Sequence, residues 1–188
     1  MRLTFDDIQI LFWTITYILA IVYALKYKTN IIPYPAILCN FAWELAALLQ
    51  SGMIGHFVWW AADAIILILF LSQRNYGKRF KMIWILCLLL VFEIMWKIFY
   101  LEKGMLYSSF TIDILMAALF CLKIWRDQKG TVLGIAIAAS KMIGDFSAWR
   151  FYRYDRLVDI IGAIVLVCNI VYLICMFVCW RKRQYEEN

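Results

Sequence analysis

The sequence predicts an all-α membrane protein, a bundle of seven transmembrane helices. Three observations carry this expectation. Hydrophobic residues make up 65% of the 188-residue chain and the mean hydropathy is +0.77, too apolar for a polar shell to cover. The apolar residues fall into seven long runs, each near the roughly 20 residues a helix needs to cross the hydrocarbon. Lys and Arg collect in alternate connections, as they do in the cytoplasmic loops of membrane proteins. A single membrane domain over 1–188 is therefore expected.

The runs place helices at about 8–27, 33–50, 56–72, 81–101, 108–125, 131–151 and 157–180. The first is preceded by Asp6 and Asp7 and followed by lysines, so it reads as a retained span rather than a cleaved signal. Asn30, Pro33 and Pro35 open the second, and Ser51, Gly52 and Gly55 separate it from the third. Gly104, Gly130 and the stretch 150–156 punctuate the later ones. Cys39, Cys87, Cys121, Cys168, Cys175 and Cys179 all lie in apolar runs, where they read as small hydrophobes without a disulfide framework.

Orientation follows from the basic residues. One side holds twelve: Lys26, Lys28, Arg74, Lys78, Arg79, Lys81, Lys123, Arg126, Lys129, Arg181, Lys182 and Arg183. The other holds five, at Arg2, Lys103, Arg150, Arg153 and Arg156. The richer side is expected in the cytoplasm, which puts the N-terminus outside and the C-terminus inside. The net charge of +6 needs no partner beyond anionic lipid headgroups, and nucleic acid is not an expected partner.

A faint internal repeat emerges when the first three runs are slid against the last three. Asn40-x-x-x-Glu44 superposes on Lys141-x-x-x-Asp145, Asp63 on Asp159, and Leu25-Lys26 on Leu122-Lys123. The architecture it suggests is two parallel three-helix repeats joined by the fourth helix as a linker.

Six carboxylates lie inside the expected spans: Glu44, Asp63, Glu93, Asp113, Asp145 and Asp159. An ionisable group near the bilayer centre costs roughly 2.5–3.5 kcal/mol on insertion scales, so each is a candidate functional residue. With the N-terminus outside, all six map to the outer half, which implies a polar cavity opening to the outer leaflet. Lys141 stands four residues before Asp145 and Lys97 four after Glu93, so these two acids have local partners. The ordinary alternative for a single intramembrane acid is hydrogen-bonded glue between helices, or a cap near a helix start. Aromatics crowd the same level, among them Phe41, Trp43, Trp59, Trp60, Trp96 and Trp149. Most belong to an interfacial belt; any that point inward would offer π faces to a cationic ligand or intermediate. His56, between the second and third helices, reads as a solvated loop histidine without a metal-ligand spacing around it.

The stretch Leu38-Cys39-Asn40-Phe41-Ala42-Trp43-Glu44-Leu45, followed by Trp59-Trp60-Ala61-Ala62-Asp63, resembles the transmembrane terpene cyclases of meroterpenoid and indole-diterpene pathways. That family has seven helices, an Asn-x-x-Trp-Glu in the second and a Trp-rich approach to an Asp in the third. The resemblance implies that Glu44 and Asp159 are the essential acid pair, with Asp145 a rival for the second place and Asp63 a structural or orienting partner. Together with the cluster of acids and aromatics, it gives candidate substrate-binding positions at Asn40, Phe41, Trp43, Trp60, Asp113, Asp145 and Trp149. The expected reaction is of isomerase or lyase type. A carboxylic acid kept in apolar surroundings protonates an epoxide or alkene of a lipophilic prenylated substrate, and a second carboxylate accepts the final proton. No metal or other cofactor is expected. The departure is the charge at Arg150, Arg153, Asp155 and Arg156, which suits an anionic headgroup or ligand.

Two other classes stay open. A small transporter of the three-plus-one-plus-three type would use the same repeat and acids, with Pro33 and Pro35 at a hinge. A non-catalytic sensor or effector would use them to recognise a lipid or small ligand.

Overall fold

The computed structural model describes residues 4–72, 77–153 and 155–187. Arg2 and Arg74, counted above for orientation, lie outside them. Among the described residues there are seven helices and no strand: α1 (Phe5–Tyr27), α2 (Tyr34–Ser51), α3 (Ile54–Leu71), α4 (Lys78–Ile98), α5 (Gly104–Asp127), α6 (Val132–Tyr152) and α7 (Arg156–Glu187). Five of them, α1, α3, α5, α6 and α7, are long and apolar enough to cross a membrane. The chain is therefore read as a multi-pass membrane protein. Asn40, Glu44 and Gln50 dilute the apolar character of α2, and Lys81, Glu93 and Lys97 that of α4.

The helix ends follow local chemistry. Thr4 and Asp7 form a reciprocal cap at the start of α1, Thr4 Oγ1 accepting from Asp7 N (3.2 Å) while Asp7 Oδ2 accepts from Thr4 N (2.8 Å). Pro33 is the N-cap of α2, and Gly52 ends that helix at φ +66 with its N–H on Leu48 O (2.9 Å). Thr131 Oγ1 caps α6 by accepting from Gly134 N. Asp155 Oδ1 caps α7, accepting from Leu157 N (3.0 Å) and Val158 N (3.3 Å). The charge at Asp155 thus has a structural use. α7 continues past the end of its apolar run at Trp180, because Arg, Lys, Gln and Glu are good helix formers even where they are poor lipid neighbours.

The chain divides into two compact units. One comprises Ala20–Ile112, the other Met1–Leu19 with Asp113–Asn188, so the boundaries fall inside α1 and α5. Within the first, α2 packs on α3 and on α4. The fully buried Ala36, Ala42, Ala46 and Ala47 let the backbones of its helices approach. Within the second, α6 packs on α7. Gly134, Ala138, Gly144 and Ala148 line the buried face of α6; Val158, Val165, Asn169, Tyr172 and Met176 are buried on α7. Exposed Ile18, Leu25, Ile68, Leu86, Leu122 and Val167 form the apolar exterior that lipid would wet.

Gly130, between α5 and α6, is fixed by close approach. A Cβ there would lie 2.6 Å from both Cys179 C and Met176 O, and closer still to Trp180 N. These are backbone atoms and cannot swing aside. Gly130→Ala is expected to lower stability by at least about 1–3 kcal/mol, read as a fall in the thermal unfolding midpoint in detergent. Gly55→Ala, which meets nothing within 4 Å, should leave the midpoint unchanged; equal effects would refute the packing argument.

Candidate functional site

The first unit holds a polar centre built on two helices. Asn40, Trp43 and Glu44 share one face of α2, and His56, Trp59, Trp60 and Asp63 share one face of α3, by the three- and four-residue spacing of neighbouring turns. The turn at Ser51–Gly52 brings the two faces together. Asn40 Nδ2 donates to Asp63 Oδ2 (2.7 Å), and His56 Nδ1 lies 2.8 Å from Glu44 Oε2. Glu44 and Asp63 are 5% and 1% exposed. Each is a buried acid with a hydrogen-bond partner, as burial of such a group demands.

Aromatic rings flank the His56 imidazole. The imidazole stands edge-on to Trp43 (5.5 Å between centroids) and to Trp59 (6.0 Å), and Trp43 stands edge-on to Phe99 (5.6 Å). Trp43 is anchored through Nε1, which donates to Ser108 Oγ (2.9 Å). Phe41 and Trp60 make a further tilted pair at 5.8 Å. The buried Trp60 Nε1 has no hydrogen-bond partner among the described residues. A carboxyl and an imidazole that share one proton, bordered by indole rings, can move a proton and tolerate nearby positive charge.

The second unit holds a different centre. Lys141 Nζ donates to Asp145 Oδ2 on its own helix, in a very close ion pair, and to Asn169 Oδ1 on α7 (3.4 Å). Asn169 Nδ2 donates to the same Asp145 oxygen (2.7 Å), and the ammonium lies 5.2 Å from the ring centre of Trp13 on α1. All three polar side chains are buried. Thr16 and Ser140 hydroxyls join α1 to α6 beside it (2.8 Å). Near the start of α7, Trp149 Nε1 donates to Asp159 Oδ1 (2.9 Å). Gly162 leaves room for that indole, since a Cβ there would collide with Trp149 Cδ1 and Cγ.

Several expectations change. His56 is not a partnerless loop residue: it lies in the first turn of α3, half-buried, bonded to Glu44. Counting outward from the Gly52 turn would have found it, because an antiparallel hairpin brings the stretch after the turn against the stretch before it. Glu93 does not face an interior cavity. It is exposed, paired with Lys97 (2.7 Å) on the outer surface of α4. Asp159 occupies an exposed position on α7, and Asp113 a half-buried one on α5. The four-residue spacings did identify the partners of Glu93 and Asp145; Asn169 and Trp13 carry no local signal.

Compared with family models, curated proteins and solved structures, the chain gives no match.

Proposed function

We propose that the chain is a membrane-embedded cyclase of prenylated substrates, with Glu44 as its proton donor. The observation that carries the reading is the buried Glu44 carboxyl, bonded to His56, whose ring is flanked by Trp43 and Trp59, with Phe99 edge-on to Trp43. An ionised carboxylate in such surroundings is strongly disfavoured unless it is neutralised, whereas a protonated one is a ready acid. Glu44 gives its proton to an epoxide oxygen or terminal alkene carbon, and the C–O or π bond opens to a carbocation. Neighbouring alkenes attack in turn, each forming a C–C bond and passing the charge along. A carboxylate takes the last proton, so the reaction is an isomerisation without net redox change. Asp63, bonded to Asn40 one turn from Glu44, is the candidate acceptor within the same unit; Asp159, implied by the resemblance, is its rival. The π faces lower the cost of the moving positive charge.

All seven helices serve as spans in this reading, with the N-terminus outside and the C-terminus in the cytoplasm. The basic-residue asymmetry supports it. Asn40 and Glu44 of α2 are hydrogen-bonded within its unit, and the charges of α4 sit in its first turn and its last six residues. The α2–α3 turn then lies on the outer side.

The test is incubation of the purified chain in lipid nanodiscs with prenylated hydroquinones and the terminal epoxide of a farnesylated phenol, followed by chromatography and mass spectrometry. A new compound of unchanged mass supports the cyclase. Absence of any such isomer overturns it. The buried Lys141–Asp145 pair favours transport as the second reading; uptake of the probe into proteoliposomes without a new isomer would establish that instead.

A further inference from the structure

We infer that His56 is a positioning residue that returns a proton to Glu44 after each cycle, drawing it from the water beyond the α2–α3 turn. The inference rests on the acid role proposed for Glu44.

The imidazole stands between wet and dry surroundings. Ser51, Gly52, Met53 and Ile54, immediately before it, are exposed, and the His56 side chain keeps 13% of its surface against 6% for Glu44. Nδ1 is already engaged with Glu44 Oε2 at 2.8 Å. Trp43 and Trp59 hold the ring edge-on, which fixes the direction of that bond. The second nitrogen, Nε2, has no hydrogen-bond partner among the described residues, so it is the atom through which a proton from water enters. An imidazole suits the task because one nitrogen can take a proton while the other gives one.

The balance is simple. Glu44 loses its proton to the substrate and becomes a carboxylate. His56, neutral with its hydrogen on Nδ1, passes that proton to Oε2 while a proton from water binds Nε2, so the ring stays neutral with its hydrogen on Nε2. Loss of the Nε2 proton to water and uptake of one at Nδ1 restores the starting tautomer. No oxidant or reductant takes part. The other acid of this face, Asp63, is held by Asn40 one turn deeper.

The test follows the Glu44 proton directly, without substrate. The full chain in lipid nanodiscs is moved from H2O to D2O while the protonated-carboxyl infrared band that Glu44→Gln removes is recorded. Exchange should slow at least about tenfold in His56→Gln and His56→Asn, and added imidazole should restore it. An unchanged rate in both variants overturns the inference, and so does slowing that imidazole fails to relieve. Lack of any band sensitive to Glu44→Gln would sink both this inference and the cyclase. With the farnesylated phenol epoxide, His56→Gln should keep its first turnover and lose steady-state rate; full steady-state rate in that variant removes the relay and leaves the cyclase standing. Failure of wild-type cyclisation together with imidazole-rescued exchange removes the cyclase and leaves the proton path.

Discussion

Glu44→Gln should reduce the rate of cyclised product by about 10²–10⁴-fold, the usual contribution of a positioned general acid, with helical content unchanged. Gln keeps the volume of the side chain and can still hydrogen-bond the imidazole of His56, so the hairpin of α2 and α3 has no packing reason to open. What it lacks is a dissociable proton. Loss of rate therefore isolates proton donation from architecture. Initial rates by mass spectrometry, with circular dichroism as the folding control, make the measurement. Product formation at the wild-type rate would exclude Glu44 as the donor.

Lys141→Met should be among the most destabilising single changes in the chain. The ammonium is 1% exposed, and Asp145 depends on it and on Asn169 for every hydrogen bond recorded to its Oδ2. Removing Lys141 leaves a buried carboxylate without its countercharge, a situation that costs about 3–5 kcal/mol. Replacing both partners, as Lys141→Met with Asp145→Leu, removes the uncompensated charge and should recover most of the loss. The comparison is made on unfolding midpoints in detergent. A double variant no better than the single one would show that the pair is not the source of the effect.

Counting apolar residues placed all seven helices; for the five that are long and apolar enough to cross a membrane, burial in lipid imposes a length that the sequence must meet. It missed the last turns of α7, Arg181–Glu187, since hydropathy ends where lipid ends while a helix of Arg, Lys, Gln and Glu continues, aided by pairs such as Lys182–Glu186 (3.9 Å). A residue's place along its helix can be read from sequence, and the direction in which it points cannot. Place along the helix grouped Glu44, Asp63, Glu93, Asp113, Asp145 and Asp159 together. Rotation about the axis is set by packing, and a helix apolar on both its lipid and its protein faces carries little periodic signal. Glu93 on the outside of α4 and Glu44 on the inside of α2 differ only in that rotation. His56 was hidden for another reason: its partner is twelve residues away across a turn, beyond the reach of helical spacing.

The α2–α3 hairpin also bears on how the chain enters the membrane. Alone, α2 would carry Asn40 and Glu44 into hydrocarbon with neither group satisfied, and a single central acid already costs roughly 2.5–3.5 kcal/mol there. Its partners, Asp63 and His56, arrive with the next helix. In the proposed seven-span reading, α2 is therefore poorly retained in the bilayer until α3 has been synthesised, and the two enter it as one unit. The residues assigned to proton transfer are thus also the ones that make this insertion step cooperative.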